Sequence, residues 1–525
     1  MKPFDANGAF APTIPGGGAA LRRMAVRGAG ATLLSGGISL AIQIVATVVL
    51  GRLLTPRDFG LATMVTTFSL LLMNCPMNSF SDSLLQNREV THKLASTLFW
   101  VMVGIGVVLT GGFVASGPLV ARFYGEAPLA HLTAGFSLTI LLTTLPAIHA
   151  ALLRRAMRFT ALAKNDIVAR AVGVSTSIAF GLAGWGYWSL VMGACALAAS
   201  NAVGVWILCP WIPGPPRRGV GSVTPLKFAA HIGGRFSFNY FARNSDNLLV
   251  GWRFGAGALG FYKKAYDLFA LSATQLVAAT SNVAVSALSR VRDDRPQYIR
   301  YVLGAVGVMS FLGMGLAGDL TLMGKDLIRL LVGPSWGPAG VIFTYFAPGV
   351  GAMIVYYIHG WIHVSIGRAD RWFLWSVVEW VVTFGLFLAC LPYGPQGIAI
   401  AWCVSYWVLI IPAMWYAGKP IGLGVGPVVD AIWRYVAASL GATITAFLVL
   451  GRIQALQQAQ GTGGAALRIV CISMVFGTLY LGGVVLLHGG TRPLRKFSRL
   501  FGELRGKGQA VAIEQNAPSV GVGIA

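Results

Sequence analysis

The stretch 239-NYFARNSDNLLVGWRFGAGALGFYKKAYDL-268 carries five charges, Arg243, Asp246, Lys263, Lys264 and Asp267, in a chain that is 56% hydrophobic and only 11% charged. Arg235, Asn239, Arg243, Asp246 and Val250 recur at helical spacing, which gathers four polar side chains on one face. Beyond the central glycines, Lys264 and Asp267 share a face, and Lys263 and Asp267 are i,i+4 neighbours. At the centre of a membrane each such charge costs roughly 2.5–3.5 kcal/mol, so five facing lipid would cost on the order of 12 kcal/mol or more. They are expected to face protein or water.

The rest of the chain makes membrane depth the relevant setting. Mean hydropathy is +0.70 over 525 residues, whereas soluble domains carry about 25% charged residues. Fourteen apolar stretches between residues 31 and 487 each approach the roughly 20 residues that a helix needs to cross a bilayer. No cleavable leader pattern precedes the first of them, 31–50. The net charge of +23 does not point to nucleic acid, because its distribution follows the spans. With the N-terminus inside, 28 of the 40 Lys and Arg residues fall in inner segments and 8 in outer ones. Both termini are therefore expected in the cytoplasm, with the basic excess meeting anionic lipid. The six cysteines lie in spans or at their ends, form no CxxC, and read as small buried hydrophobes.

The quoted stretch also has a counterpart. Set above one another, 50-LGRLLTPRDFGLATM-64 and 250-VGWRFGAGALGFYKK-264 bring Gly51 onto Gly251 and Gly60 onto Gly260, an offset of 200. The offset continues on both flanks: Ser39 and Gln43 fall on Asn239 and Arg243, and Asp82 falls on Asn282. The expected organisation is a cytoplasmic tail at 1–30, a six-helix bundle at 31–209, a Pro- and Gly-rich linker at 210–228, and a second six-helix bundle at 229–417. Two extra helices at 418–487 and a basic cytoplasmic tail at 488–525 complete it. Both tails are expected to be mobile. The expected fold is an all-α integral membrane protein of two pseudo-symmetric bundles around a central cavity.

The first half turns polar faces inward as well. Ser35, Ser39 and Gln43 line one face of the first span. Asn74, Asn78, Ser81 and Asp82 line the second, and Asn165, Asp166 and Arg170 sit on the fifth. A cavity fed by both halves would suit a phosphate or pyrophosphate, to which Arg and Lys give charge-assisted hydrogen bonds. Arg243, Lys264, Lys263, Asn239, Gln43 and Arg170 are the candidate substrate-binding residues. Asp82, Asp246, Asp267 and Glu379 are the candidate ion-coupling carboxylates. The pair in 359-HGWIH-363 lacks the glutamate of a metalloprotease helix, since Gly360 follows the first histidine, and reads as interfacial or cavity histidines. Trp185, Tyr187, Trp188 and Trp211 read as interfacial anchors. No catalytic motif, metal site or cofactor site is legible.

The blocks 50–64, 119-LVARFYGEAPL-129, 152-LLRRAMRF-159, 241–268 and 286-SALSRV-291 together resemble the polysaccharide transporter family, the Wzx-type flippases of the multidrug/oligosaccharidyl-lipid/polysaccharide superfamily. The likeness is greatest to exopolysaccharide exporters of the colanic-acid and succinoglycan types. It implies a MATE-like fold, alternating access between two bundles, and undecaprenyl-pyrophosphate-linked repeat units as substrate. It also implies the bacterial inner membrane as location, with polysaccharide polymerase and chain-length proteins as partners beside the membrane lipids. The segment 78-NSFSDSLLQ-86 is more polar than the glycine-rich stretch the family shows there. A drug or cation antiporter of the same superfamily is the rival reading, and it would want an acidic or aromatic cavity rather than a basic one.

Overall fold

The computed structural model describes residues 3–5, 7–10, 18–86, 90–216, 223–454, 458, 461–491 and 494–495. It is helical nearly throughout. The principal helices are α1 (Gly18–Leu53), α2 (Pro56–Gln86), α3 (His92–Tyr124), α4 (Leu129–Thr144), α5 (Ala147–Arg155), α6 (Phe159–Leu182), α7 (Trp188–Leu208) and α8 (Val223–Arg290). There follow α9 (Arg295–Val332), α10 (Gly337–Phe346), α11 (Gly349–Tyr356), α12 (Ile358–Ser365), α13 (Ala369–Cys390), α14 (Gly394–Gly418), α15 (Val425–Leu450) and α16 (Gly461–Leu487). Each of the fourteen expected spans coincides with helix. By length and hydropathy alone, eight stretches among the described residues can cross a membrane, or up to ten if each of two bent pairs is one span. Helices α2 and α6 are not among them, and they carry Asp82 and the Lys164, Asp166 and Arg170 set.

Helix α8 is two helices joined at a hard corner. Gly255 has φ 79° and ψ 179°, a backbone state open almost only to glycine, and it separates limbs 223–254 and 256–290. The chain divides into two compact units, the first being residues 1–267, 328–342 and 380–401 and the second residues 268–327, 343–379 and 402–525.

In the first unit, small residues let the helices close. Gly173 of α6 lies against Leu197 of α7, and Gly193 of α7 lies against Ser177 of α6. At the end assigned to the cytoplasm, Leu94, Leu98 and Met102 of α3 pack with Ile148 and Leu152 of α5, Val205 of α7 and Trp211. Trp211 is thus a core residue, 5% exposed, and not an interfacial anchor. Its segment is tied down, as Gly214 N–H donates to Ser96 Oγ at 3.0 Å and the Gly214 carbonyl accepts from Trp100 Nε1 at 2.9 Å. Part of the N-terminal segment has defined contacts. Residues 4–5 and 7–10 approach one another, with Ala9 N–H donating to Asp5 Oδ1 at 2.8 Å. The turn docks on the start of α3: Phe10 N–H donates to the Val90 carbonyl (3.1 Å) and His92 N–H to the Gly8 carbonyl (2.8 Å). Two aromatic side chains hold it there, Phe4 lying 5.8 Å from Trp211 and Phe10 beneath the Arg155 guanidinium at 5.4 Å.

In the second unit, α15 and α16 form a cluster of Ala438, Ala442, Ala446, Phe476, Tyr480 and Val484, with Phe311 and Leu322 of α9 against it. Helix α16 runs antiparallel to α9. Arg468 grips Asp326 with both Nε and Nη2, at 2.5–3.0 Å. Further in, Ser473 Oγ donates to the Asp319 carboxylate at 3.0 Å, and Tyr480 Oη donates to the Phe311 carbonyl at 2.6 Å. The last two helices are therefore fastened to α9 by polar contacts as well as by packing, and removing them would strip two carboxylates of their partners. Both side chains of the Arg468–Asp326 pair are under one-fifth exposed. Arg468→Ala is expected to cost roughly 2 kcal/mol, mostly as an uncompensated carboxylate. A charge-swapped pair, Arg468→Asp with Asp326→Arg, is expected to recover much of it, as read by the melting temperature of purified protein.

Candidate functional site

The two blocks aligned in the sequence meet in the first unit. A Cβ added at Gly60 would overlap the Ala256 carbonyl oxygen, and one added at Gly260 would overlap the Pro56 carbonyl oxygen. The contact is reciprocal: what position 60 meets at 256, position 260 meets at 56. That is the pattern a twofold relating the two blocks requires. The neighbouring glycines cross over in the same way. Gly51 faces Val332 at the end of α9, 2.6 Å from a built Cβ to Cγ1, and Gly251 faces Tyr124 at the end of α3, at 2.9 Å. Each of those helices stops at a glycine in the left-handed region, Gly125 at φ 71° and Gly333 at φ 103°.

Directional bonds reinforce the glycine contacts. Trp336 Nε1 donates to the Gly51 carbonyl at 2.6 Å, and Arg52 Nη2 donates to the Leu330 carbonyl at 2.9 Å. The Trp336 ring lies 5.4 Å from Phe59 and 6.0 Å from Phe261, both edge-on. In the topology expected from the Lys and Arg distribution these helix ends are the outer ones, so the arrangement is termed an outer junction.

Lys264 sits within this junction. It is 8% exposed, with its ammonium 4.0 Å from the Phe59 ring centre and 5.6 Å from that of Trp336. A desolvated cation over aromatic faces gains about 2 kcal/mol. Helical position alone does not show this, because Phe59 and Trp336 belong to distant segments. Lys263 turns the other way and pairs with Asp267, as the i,i+4 spacing predicts. The pair remains accessible, with side chains 30% and 48% exposed. Asp246 is buried and accepts from Tyr262 Oη at 2.7 Å, tying the two limbs of α8 across the Gly255 corner.

The other candidates are dispersed. Arg170 pairs with Asp166 at 2.9 Å on α6, and both side chains are more than 40% exposed. Gln43 is exposed on α1 and Glu379 half-buried on α13. The side chains of Asp82, Asn239, Arg243 and Asn282 lie outside the described residues. One feature escaped the sequence reading. Asp319 and Asp326, seven residues apart, present two carboxylates on one face of α9, a spacing that was legible. The histidines of 359-HGWIH-363 are neither interfacial nor open, being 3% and 0% exposed. Among the described residues, no three His, Cys, Asp or Glu side chains gather as a metal would require.

Residues 49–340, more than half of the chain, match the polysaccharide biosynthesis protein family. The chain belongs to that family. Its Wzx-type members are flippases and transporters rather than enzymes, and the chain shares their multi-pass membrane architecture. It is 23% identical over 326 residues to the lipopolysaccharide biosynthesis protein WzxC of Escherichia coli (strain K12), covering 60% of this chain and 65% of that one, a little under two thirds. It is 22% identical over 401 residues to the succinoglycan biosynthesis transport protein ExoT of Rhizobium meliloti (strain 1021), covering 74% and 79%. The fold is that of the lipid II flippase MurJ, solved in an inward closed conformation, with a TM-score of 0.68 at 14% identity over 86% of this chain and 98% of that one.

Proposed function

We propose that this member of the polysaccharide biosynthesis family flips polyprenyl-pyrophosphate-linked oligosaccharides, the undecaprenyl-linked repeat units of an exopolysaccharide, capsule or O-antigen, across the bacterial inner membrane by alternating access. The observation that carries the reading is the outer junction. Two blocks related by a 200-residue offset close on each other through bare glycine backbone, with a buried lysine beneath. Backbone-to-backbone contact of this kind is dry and closely packed, and it can part without tearing a side-chain core. Accessible ion pairs on α6 and α8 supply the polar surface that a charged, sugar-bearing head group needs and lipid would not tolerate. Lys264, Lys263, Arg243, Asn239, Gln43 and Arg170 remain the proposed contacts to that head group. The prenyl tail would stay in lipid.

The test is reconstitution of the purified chain in liposomes with a fluorescent polyprenyl-pyrophosphate oligosaccharide. Its head group should become accessible to an external reductant at least about tenfold faster than in protein-free vesicles. Rates equal to those of empty vesicles, together with extrusion of a cationic dye, would favour the antiporter reading instead.

A further inference from the structure

The motif 359-HGWIH-363 lies in the second unit, and nothing in the flipping scheme uses it. His359 Nδ1 lies 2.5 Å from the Tyr356 carbonyl oxygen. That contact places a hydrogen on Nδ1, so in the neutral ring Nε2 is a bare acceptor. Nε2 is buried and has no partner among the described residues. His363 is fully buried, one helical turn on, and both of its ring nitrogens lack partners. The two rings are 6.0 Å apart. Buried polar groups are nearly always satisfied, so unpaired nitrogens at one place point to something small that joins them.

The walls indicate its charge. Three aromatic rings stand beside the pair, with Tyr356 at 4.4 Å and Trp375 at 6.4 Å from His359, and Tyr416 at 5.9 Å from His363, each inclined to its histidine. Such faces favour a cation between them. They are held rigidly: Trp375 Nε1 donates to Tyr356 Oη at 2.8 Å and Trp375 stacks on Tyr416 at 5.6 Å. The titratable and charged groups around the pair are Tyr356 and Tyr357 of α11, Tyr406 and Tyr416 of α14, Arg371 and Asp370 of α13, Arg368 before it, and Tyr298 of α9. Tyr298 reaches α12 through Ser365. Arg371 already lies over the Tyr416 ring at 4.1 Å and donates to the Tyr416 carbonyl. Asp370, exposed beside it, pairs with Arg368. Two small histidine-bearing and tyrosine-bearing helices, α11 and α12, meet at Tyr357, so a charge placed here acts on a jointed span.

We propose that His359 and His363 form a proton-binding site, and that the proton bound there is the ion coupled to transport. A proton taken up on His359 Nε2 turns an orphan acceptor into a donor, and a water between the rings passes it to His363. The charge is held by the Tyr356, Trp375 and Tyr416 faces and opposed by Arg371, so occupancy is conditional, as a coupling site needs. The coupling half of the proposal rests on the flipping reading above. The proton-binding half does not.

Two readouts keep them apart. The first is tryptophan fluorescence of the purified chain against pH, since an imidazolium beside an indole quenches it. A step on acidification is expected, and it should vanish in His359→Gln, in His363→Gln and in Trp375→Phe. A step that survives both histidine variants overturns the site. The second is flipping in liposomes with and without a pH gradient. The wild-type rate should rise several-fold with the gradient. The glutamine variants should lose the gradient response. A response retained in both variants overturns the coupling. A fluorescence step as expected with no flipping by the wild type would sink the transport reading and the coupling with it, while leaving the proton site standing.

Discussion

Alanine at Gly60 or at Gly260 is expected to abolish polysaccharide export while leaving the chain inserted in the membrane. The added methyl group would lie on a backbone carbonyl oxygen, that of Ala256 or of Pro56. A flexible side chain could turn aside, but the first turn of a helix cannot. Overpacking against side chains costs about 1–3 kcal/mol, and against backbone the upper end applies. A penalty of that size shifts the balance between closed and parted outer ends by roughly tenfold to a hundredfold. Because the contacts are reciprocal, the two variants should behave alike, which would be unexpected for unrelated positions 200 residues apart. Gly257 provides the control: it lies in the same block with open space where its Cβ would be. Gly257→Ala should export within about twofold of wild type, as measured by extracellular polysaccharide normalised to membrane-level protein.

Lys264→Met is expected to fold, insert and fail to export. Methionine keeps the length of the side chain and its fit under Phe59 and Trp336, and it removes a buried charge. Losing about 2 kcal/mol of cation–π attraction is offset by no longer burying an ammonium, so the melting temperature should move by only a few degrees. On the proposed route, the ammonium leaves the aromatic rings for the pyrophosphate when the junction parts. Deleting a charge-assisted contact should then cost about tenfold to a hundredfold in flipping rate. Lys264→Arg, which preserves charge but not shape, should retain part of the activity. Full export by Lys264→Met would reduce Lys264 to a packing residue of the junction.

Much of this architecture was legible before any coordinates. Spans are legible because lipid forces apolar composition on about 20 residues at a time. The glycines at 51, 60, 251 and 260 are legible because a close backbone approach admits nothing else. Pairs within one helix, Lys263 with Asp267 and Arg170 with Asp166, follow from i,i+4 spacing. Contacts between distant segments are another matter. Lys264 looked like a free base on a polar face because its partners, Phe59 and Trp336, stand 205 residues before it and 72 after it. Arg468 and Asp326 stand 142 residues apart, and only the packing of α16 along α9 joins them. Composition likewise does not reveal that Phe4 meets Trp211 and Phe10 meets Arg155.

The central claim is that the outer ends meeting at Gly51, Gly60, Gly251 and Gly260 must part for transport. A cross-link tests it most directly. A Cβ at Gly51 lies 2.9 Å from Val332 Cβ, close enough for a disulfide after a small adjustment, since bridged Cβ atoms sit about 3.5–4.5 Å apart. In a chain whose six native cysteines are replaced by serine, Gly51→Cys with Val332→Cys should form that bond under mild oxidant. Oxidised protein should then flip no faster than empty vesicles, and a reductant should restore flipping. Undiminished flipping by fully cross-linked protein would contradict the account.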